Sequence, residues 1–163
     1  MSDNRGADAP PLWETSHLRT YNKLFKIKDF VVTEGPNNNL PALLLIAHGS
    51  RRAAANAELQ ELANLLAPRG EYLHIQPSYL ELCQPDIATG GRLCVAAGAK
   101  TVVMLPYFLS PGMHAIDDMQ EAQAALQAEF PHVRFLLASH LGLHPLMLEI
   151  VHARANEVLS HAN

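Results

Sequence analysis

From Ala42 onward, short apolar segments alternate four times with longer segments whose apolar residues recur at helical spacing. The apolar segments are 42–47, 72–75, 101–105 and 133–138, and the helical ones occupy 53–67, 85–97, 116–130 and the region after Pro145. A continuous apolar run such as ALLLIA at 42–47 is typical of a parallel strand that is covered on both faces. The alternation therefore predicts an α/β fold with a four-stranded parallel sheet, flanked by helices and joined by right-handed crossovers.

Two segments at the ends of the chain carry separate predictions. Residues 1–11 are polar, residues 12–34 mix charged and apolar side chains, and GPNNNLP at 35–41 is a cluster of turn-forming residues. Residues 1–40 are predicted to form a partly disordered N-terminal extension before a domain that spans 41–163. At the other end, the helix after Pro145 is expected to turn apolar residues toward the core, namely Met147, Ile150, Val151 and Val158.

Composition excludes several classes of function. Lys and Arg total 12 against 16 Asp and Glu, for a net charge of −4, which argues against a nucleic-acid-binding protein. No apolar run approaches the roughly 20 residues of a membrane span. The two cysteines, Cys83 and Cys94, indicate neither a disulfide scaffold nor a zinc knuckle, so a cytoplasmic location is expected. Nine histidines in 163 residues point instead to metal or proton chemistry.

Two of these histidines follow predicted strands. His48 comes after the first strand and His114 after the third. Function in such sheets collects at the carboxyl ends of the strands, beside the point where the strand order reverses. In the common order 2-1-3-4 these two strands are neighbours, about 4.8 Å apart. We therefore expect the two imidazoles to share one pocket, which would suit a divalent first-row metal ion.

The residues around these histidines are suited to an anionic ligand. Ser50, Arg51 and Arg52 lie at a predicted helix N-terminus, where backbone N–H groups and guanidinium groups favour carboxylate or phosphate. Gly49 and Gly112 are expected to let the backbone pass close to a ligand. For Asp117 and Asp118, one turn after His114, two roles are open: they orient an imidazole or collect a metal ion, or they only interact favourably with the helix dipole.

Four motifs together resemble one family. They are AHGSR at 47–51, YLEL followed by CQPDI at 79–87, LPYFLSPGMHAIDD at 105–118 and LGLHP at 141–145. In this order and spacing they resemble the small class II chelatases of the CbiX/SirB type, which insert a metal ion into the tetrapyrrole sirohydrochlorin. The resemblance covers roughly residues 42–158 and does not extend to the first forty.

The resemblance implies a single chelatase-type half-domain whose site is completed in a homodimer. His48 and His114 match the metal-handling histidines of the family, and Glu81 is the candidate for proton removal or metal delivery; as an alternative, Glu81 is a partly buried acid paired with an arginine. Sirohydrochlorin carries eight carboxylates, so the implied substrate contacts are Ser50, Arg51, Arg52, Ser110 and Gly112. No permanently bound cofactor is expected, because the metal ion is a substrate.

The sequence leaves the metal and some alternatives open. Imidazole ligands do not separate Co²⁺ from Fe²⁺ or Ni²⁺, so the product serves either cobalamin or sirohaem biosynthesis. A non-catalytic carrier of metal or tetrapyrrole would show the same binding residues without turnover. A histidine phosphatase is disfavoured, because Ala47 stands before His48 where the RHG motif of that class has its arginine.

Overall fold

The computed structural model describes residues 39–110 and 112–161, all of which belong to the unit Asn37–Asn163. Residues 1–38 of the predicted N-terminal extension 1–40 lie outside the described residues, and its partial disorder stays a prediction. The strands are β1 (Ala42–Ala47), β2 (His74–Tyr79), β3 (Thr101–Pro106) and β4 (Arg134–Leu137). The helices are α1 (Ala53–Leu66), α2 (Ile87–Ala96), α3 (Met113–Glu129) and α4 (Pro145–His161), and a 3-10 turn at Ala67–Arg69 follows α1.

The four strands form one parallel sheet, as predicted, and their order β2-β1-β3-β4 is the common order assumed above for the two histidines. β1 pairs with β2 along one edge and with β3 along the other, so it lies inside the sheet. All residues from Ala42 to Ile46 are buried, because both faces of this central strand are covered.

Helices cover the two faces of the sheet unequally. On one face, α2 and α3 pack over a cluster whose largest buried members are Leu44, Ile46, Met104, Met119 and Leu126. On the other face, α1 packs over β1 and β2 and buries a smaller cluster, consisting of Leu43, Leu45, Leu59, Ala63 and Tyr79. The part of this second face that belongs to β3 and β4 has no helix of the described residues packed along it.

The start of α2 shows how local sequence sets an element boundary. The sequence pattern placed the start of this helix at Pro85, the first residue of the segment 85–97, but the helix begins at Ile87 and Asp86 is its N-cap. The Asp86 carboxylate accepts a hydrogen bond from the Thr89 backbone N–H at 2.7 Å, and this bond lowers the pKa of Asp86. Farther along α2, a Cβ at Gly90 would lie 1.9 Å from Ser78 Oγ, so only glycine allows the helix to lie this close to β2.

The expectation that α4 packs into the core is wrong. Ile150, Val151 and Val158 are 49%, 65% and 70% exposed, and Met147 is only half-buried. Within the described residues, α4 packs along no other helix or strand. The spacing of the apolar residues predicts that the helix has an apolar side, but it does not show which surface covers that side. No helix in the described part of the chain is long and apolar enough to cross a membrane.

Candidate active site

The loops that follow β1, β2 and β3 leave the same edge of the sheet. β1 and β3 are direct neighbours, and their pairing continues past the strand ends through a hydrogen bond from Tyr107 N–H to the Ile46 carbonyl, at 2.7 Å. On the other side of β1, Leu80 N–H donates to the Ala47 carbonyl at 2.9 Å. The central strand therefore brings the loop that carries His48 beside the loop after β2.

His48 and Glu81 meet at this edge. His48 Nε2 lies 3.2 Å from Glu81 Oε1, and the two side chains are 67% and 56% exposed. The backbones are joined as well, because Glu81 N–H donates to the His48 carbonyl at 3.1 Å. This pair joins a possible metal ligand to a carboxylate in a position open to solvent. The alternative for Glu81, a partly buried acid paired with an arginine, is not what the structure shows.

Gly49 allows the two loops to approach. Its φ is +95°, in the left-handed region, and a Cβ added there would lie 1.9 Å from the Glu81 carbonyl oxygen. The sequence suggested that Gly49 and Gly112 make room for a ligand. In the structure the space beside Gly49 is filled by the Glu81 carbonyl of the same chain, whereas a Cβ at Gly112 would meet no atom within 4 Å.

The loop that carries Glu81 contains a strained turn. Cys83 N–H donates to the Glu81 carbonyl at 2.8 Å, which closes a three-residue γ-turn around Leu82. Leu82 has a φ of +62°, the one positive value at a non-glycine residue in the described part of the chain. Such backbone conformations cost energy and persist where the surrounding structure holds them. The strain thus lies directly beside the carboxylate that faces His48.

The loop after His48 is held by a residue that the sequence reasoning missed. The Asn56 side chain accepts from Ser50 N–H at 2.9 Å and donates to the Ser50 carbonyl at 2.8 Å. Tyr79 then donates its hydroxyl proton to the Asn56 carbonyl at 3.0 Å. In the sequence, the one indication of this role was that Asn56 is a polar residue in the first turn of α1, among alanines.

The predicted substrate-binding residues all lie at the same edge. Arg51 and Arg52 are exposed just before α1, and their side chains have no hydrogen-bond or ion-pair partner among the described residues. The Ser50 hydroxyl accepts a hydrogen bond from Arg52 N–H at 3.1 Å. Ser110 is exposed in the loop after β3, and Gly112 is the N-cap of α3. Their roles in binding stay predictions.

His114 is the second residue of α3 and is exposed. Residues 39–110 and 112–161 contain no group of three or more His, Cys, Asp or Glu side chains that could hold a metal ion. His48 and Glu81 are therefore brought together, while a shared metal pocket with His114 stays a prediction. Asp117 and Asp118 are exposed and lie beyond the first turn of α3, so interaction with the N-terminal dipole does not explain them.

A protein-family model matches most of the chain. The model of the CbiX family matches residues 42–158, which include all four strands described above and most of α4. The chain belongs to the CbiX family. The match begins at β1, so it contains the His48 loop, the Glu81 loop and the His114 loop together.

Two curated relatives of the chain are sirohydrochlorin chelatases. A chloroplastic sirohydrochlorin ferrochelatase of Arabidopsis thaliana is 36% identical over 119 residues, which make up 73% of this chain and 53% of the relative. A sirohydrochlorin cobaltochelatase of Priestia megaterium is 30% identical over 137 residues, or 82% of this chain and 44% of the relative. The chain thus spans about half the length of the curated relatives it matches.

A solved structure shares the fold. The sirohydrochlorin chelatase SirB from Bacillus subtilis subspecies spizizenii, in complex with cobalt, superposes with a TM-score of 0.66 at 27% identity. The match covers 73% of this chain and 51% of that chain. The CbiX domain described above therefore corresponds in extent to about one half of the SirB chain.

Proposed function

We propose that the chain catalyses insertion of a divalent metal ion, Co²⁺ or Fe²⁺, into sirohydrochlorin. The observation that carries the proposal is the His48–Glu81 pair, an imidazole and a carboxylate 3.2 Å apart at the open edge of a CbiX domain. In the reaction the ring loses two pyrrole N–H protons, and the metal ion exchanges water ligands for the four ring nitrogens. The products are the metallated ring and two protons.

His48 and Glu81 have complementary roles in this proposal. A neutral imidazole binds first-row divalent metal ions, so His48 holds the incoming ion at the sheet edge. Glu81 lies within reach of the same position and accepts a proton released from a pyrrole nitrogen, which it then passes to solvent. Both side chains are more than half exposed, so a flat ring can approach them from solvent.

His114 is assigned to the same metal ion in this proposal. It stands on the segment that follows β3, the strand paired directly with β1. A second imidazole would hold the ion while water ligands are lost and ring nitrogens replace them. Imidazole ligands alone do not discriminate Co²⁺ from Fe²⁺, and the relatives compared above include both a ferrochelatase and a cobaltochelatase.

Hydrogen-bond donors for the carboxylates of the ring lie around the His48–Glu81 pair. Arg51 and Arg52 have no partner within the described residues and present guanidinium groups that can bind carboxylates in a bidentate manner. The hydroxyl groups of Ser50 and Ser110 can donate hydrogen bonds. The backbone at Gly112 opens a 17-residue helix, whose N-terminal N–H groups favour an anion.

We also propose that two copies act as a homodimer in the cytoplasm. The SirB structure holds about twice as much chain as this domain, which supports pairing of two such domains. Cys83 and Cys94 are both free thiols, as is usual in a reducing compartment.

The test is anaerobic absorbance spectroscopy of sirohydrochlorin with Co²⁺ or Fe²⁺ and substoichiometric protein. The expected result is many turnovers to the metallated spectrum, with His48→Ala lowering the rate at least about 100-fold and Glu81→Gln lowering it by about 10²-fold or more. His132→Ala and Glu71→Gln are the matched controls. His132 precedes β4 at the opposite sheet edge, and Glu71 is an exposed acid paired with Arg69 at 3.5 Å.

Three outcomes would overturn parts of the proposal. Binding of ring or metal without turnover would identify a carrier in place of an enzyme. Turnover in His48→Ala equal to that of His132→Ala would remove the role of the histidine. Equal rates in Glu81→Gln and Glu71→Gln would remove the proton-accepting role of Glu81 alone.

A further inference from the structure

Tyr79 is a buried tyrosine that adjoins the candidate active site. It is the last residue of β2, two positions before Glu81, and it is 6% exposed. Its side chain belongs to the apolar cluster beneath α1, together with Leu59 and Ala63. A phenylalanine would fill nearly the same space in this cluster, so packing alone does not account for the hydroxyl group.

The hydroxyl group of Tyr79 links β2 to the first turn of α1. It donates a hydrogen bond to the Asn56 carbonyl at 3.0 Å. A buried hydroxyl group without a partner would cost free energy, and this bond provides the partner. Burial raises the pKa of Tyr79 above its ordinary value, so the group stays protonated and remains a donor throughout the neutral range of pH.

Asn56 extends this link to the loop after β1. Its side chain binds both backbone groups of Ser50, accepting from the N–H at 2.9 Å and donating to the carbonyl at 2.8 Å. Ser50 lies two residues after His48. Through one turn of α1, Tyr79 is therefore connected to the loop that carries the proposed metal-binding imidazole.

The backbone that follows Tyr79 reaches the same imidazole from the other side. Leu80 N–H donates to the Ala47 carbonyl at 2.9 Å, and Glu81 N–H donates to the His48 carbonyl at 3.1 Å. The side chains meet beyond these bonds, with His48 Nε2 lying 3.2 Å from Glu81 Oε1. Tyr79 thus has one connection to the His48 loop through its hydroxyl group and a second through its own strand.

The two connections close a network of contacts around the site. We call it the Tyr79 network, and its members in order are Tyr79, Asn56, Ser50, His48 and Glu81. The network is tightly packed, because a Cβ at Gly49 would lie 3.4 Å from the Tyr79 Cβ as well as against the Glu81 carbonyl. Residues that hold a metal ligand in place from behind set its position without touching the ion.

We propose that Tyr79 is a positioning residue for the His48–Glu81 pair, acting through its hydrogen bond to Asn56. The proposal rests on metal insertion as the proposed function and adds a residue that contacts neither the metal ion nor the ring. Without the hydroxyl group, the His48 loop is free to shift relative to Glu81 while the apolar cluster keeps its packing. A shift of about 1 Å between reacting groups can slow a catalysed reaction by about 10²-fold.

Amide hydrogen exchange of the full chain, measured by NMR without metal or ring, tests the connection directly. In Tyr79→Phe, the N–H groups of Ser50 and Glu81 should exchange at least about fivefold faster, because the loop that holds both hydrogen bonds opens more readily. Tyr72→Phe is the matched control and should leave both amides unchanged. Tyr72 packs half-buried against the same cluster, and its hydroxyl group has no hydrogen-bond partner among residues 39–110 and 112–161.

Two results of this experiment would overturn the proposal. One is unchanged exchange at Ser50 and Glu81 in Tyr79→Phe, even if amides of the sheet core exchange faster, because the hydroxyl group would then stabilise the domain without holding the loop. The other is an equal acceleration in Tyr72→Phe, which would make the effect a general consequence of losing a tyrosine hydroxyl group.

Insertion of Co²⁺ into sirohydrochlorin tests the consequence for the reaction. At a temperature where both variants are fully folded, Tyr79→Phe should insert the ion at least about tenfold more slowly than Tyr72→Phe, and its KM for Co²⁺ should rise. Tyr79→Phe/Asn56→Ala should be no slower than the slower single variant, because both substitutions break the same connection.

The outcomes separate this proposal from the proposed function. An inactive wild-type chain would overturn metal insertion, and the exchange of Ser50 and Glu81 would still decide whether Tyr79 holds the pair in position. In an active wild-type chain, equal rates in Tyr79→Phe and Tyr72→Phe would overturn the positioning role. Effects of Tyr79→Phe and Asn56→Ala that multiply in the double variant would also overturn it, because the two residues would then act independently.

Discussion

Substitution of Gly49 by alanine tests whether the contact between the His48 and Glu81 loops supports the reaction. A Cβ at this position would lie 1.9 Å from the Glu81 carbonyl oxygen, whereas ordinary contacts begin at 3.4 Å. The two loops must therefore separate by roughly 1–1.5 Å. That movement displaces the residue whose side chain faces His48, and it stretches the hydrogen bond from Glu81 N–H to the His48 carbonyl.

A matched control separates this contact from backbone strain. Gly98 has a φ of +93°, against +95° at Gly49, but a Cβ at Gly98 meets no atom within 4 Å. Both alanine variants carry the cost of a left-handed conformation, roughly 1–2 kcal/mol. Only Gly49→Ala also weakens the two backbone hydrogen bonds between the loops, which are made by Leu80 N–H and Glu81 N–H and contribute about 1 kcal/mol each.

The expected result is a free energy of unfolding about 2 kcal/mol lower in Gly49→Ala than in Gly98→Ala, measured by urea denaturation. A displacement of about 1 Å can lower a catalysed rate by about 10²-fold. We therefore expect Gly49→Ala to insert metal into sirohydrochlorin about 10²-fold more slowly than Gly98→Ala in the anaerobic absorbance assay. Equal rates and equal stabilities in the two variants would refute the reasoning.

Further predictions concern the supports around this edge. Asn56→Ala should lower the free energy of unfolding by about 1–2 kcal/mol and slow metal insertion, because Ser50 loses both hydrogen bonds to the Asn56 side chain. Gln60→Ala removes only an exposed hydrogen bond to Asn64 and should change neither the stability nor the rate. Asp86→Ala should cost about 1 kcal/mol at pH 7. The pKa of Asp86 in the folded protein is lowered from 3.8, so the stability that the cap contributes is present above that value and is lost as pH falls through the folded pKa. Urea denaturation should therefore show the difference in stability between wild type and Asp86→Ala shrinking below about pH 4. A thiol reagent at pH 8 should modify Cys83 in the native protein and reach Cys94 only in denaturant, because burial raises the pKa of Cys94 to about 12.

The strands could be predicted from sequence because each signal was local, whereas their order had to be taken from the common topology of such sheets. The apolar run at 42–47 predicts a buried strand by itself, without reference to the rest of the chain. The alternation of strands with helices then restricts the topology to few choices. The His48–Glu81 pair could be anticipated only from the order of the motifs, since the pairing of β1 with β2 brings together residues 33 positions apart.

Other features depend on tertiary contacts that the spacing of residues in the sequence does not predict. Gly49 and Gly112 were equivalent in the sequence, and only the positive φ and the neighbouring carbonyl distinguish Gly49. Asn56 binds backbone six residues away across a turn, a pattern outside the helical period. The direction in which α4 turns its apolar residues is a tertiary property, so periodicity wrongly predicted that Ile150, Val151 and Val158 face the core.

The central position of β1 has a consequence for synthesis of the chain. β1 is the first strand of the sheet to leave the ribosome, and its second partner, β3, ends 59 residues later. At about 5–20 residues per second, the apolar run at 42–47 waits roughly 3–12 seconds for that partner. Until then only β2, which ends 32 residues after β1, can pair with it, and the other edge of this apolar strand stays open and prone to aggregation. The strand that is buried on both faces in the finished domain is thus synthesised well before one of the two strands that enclose it.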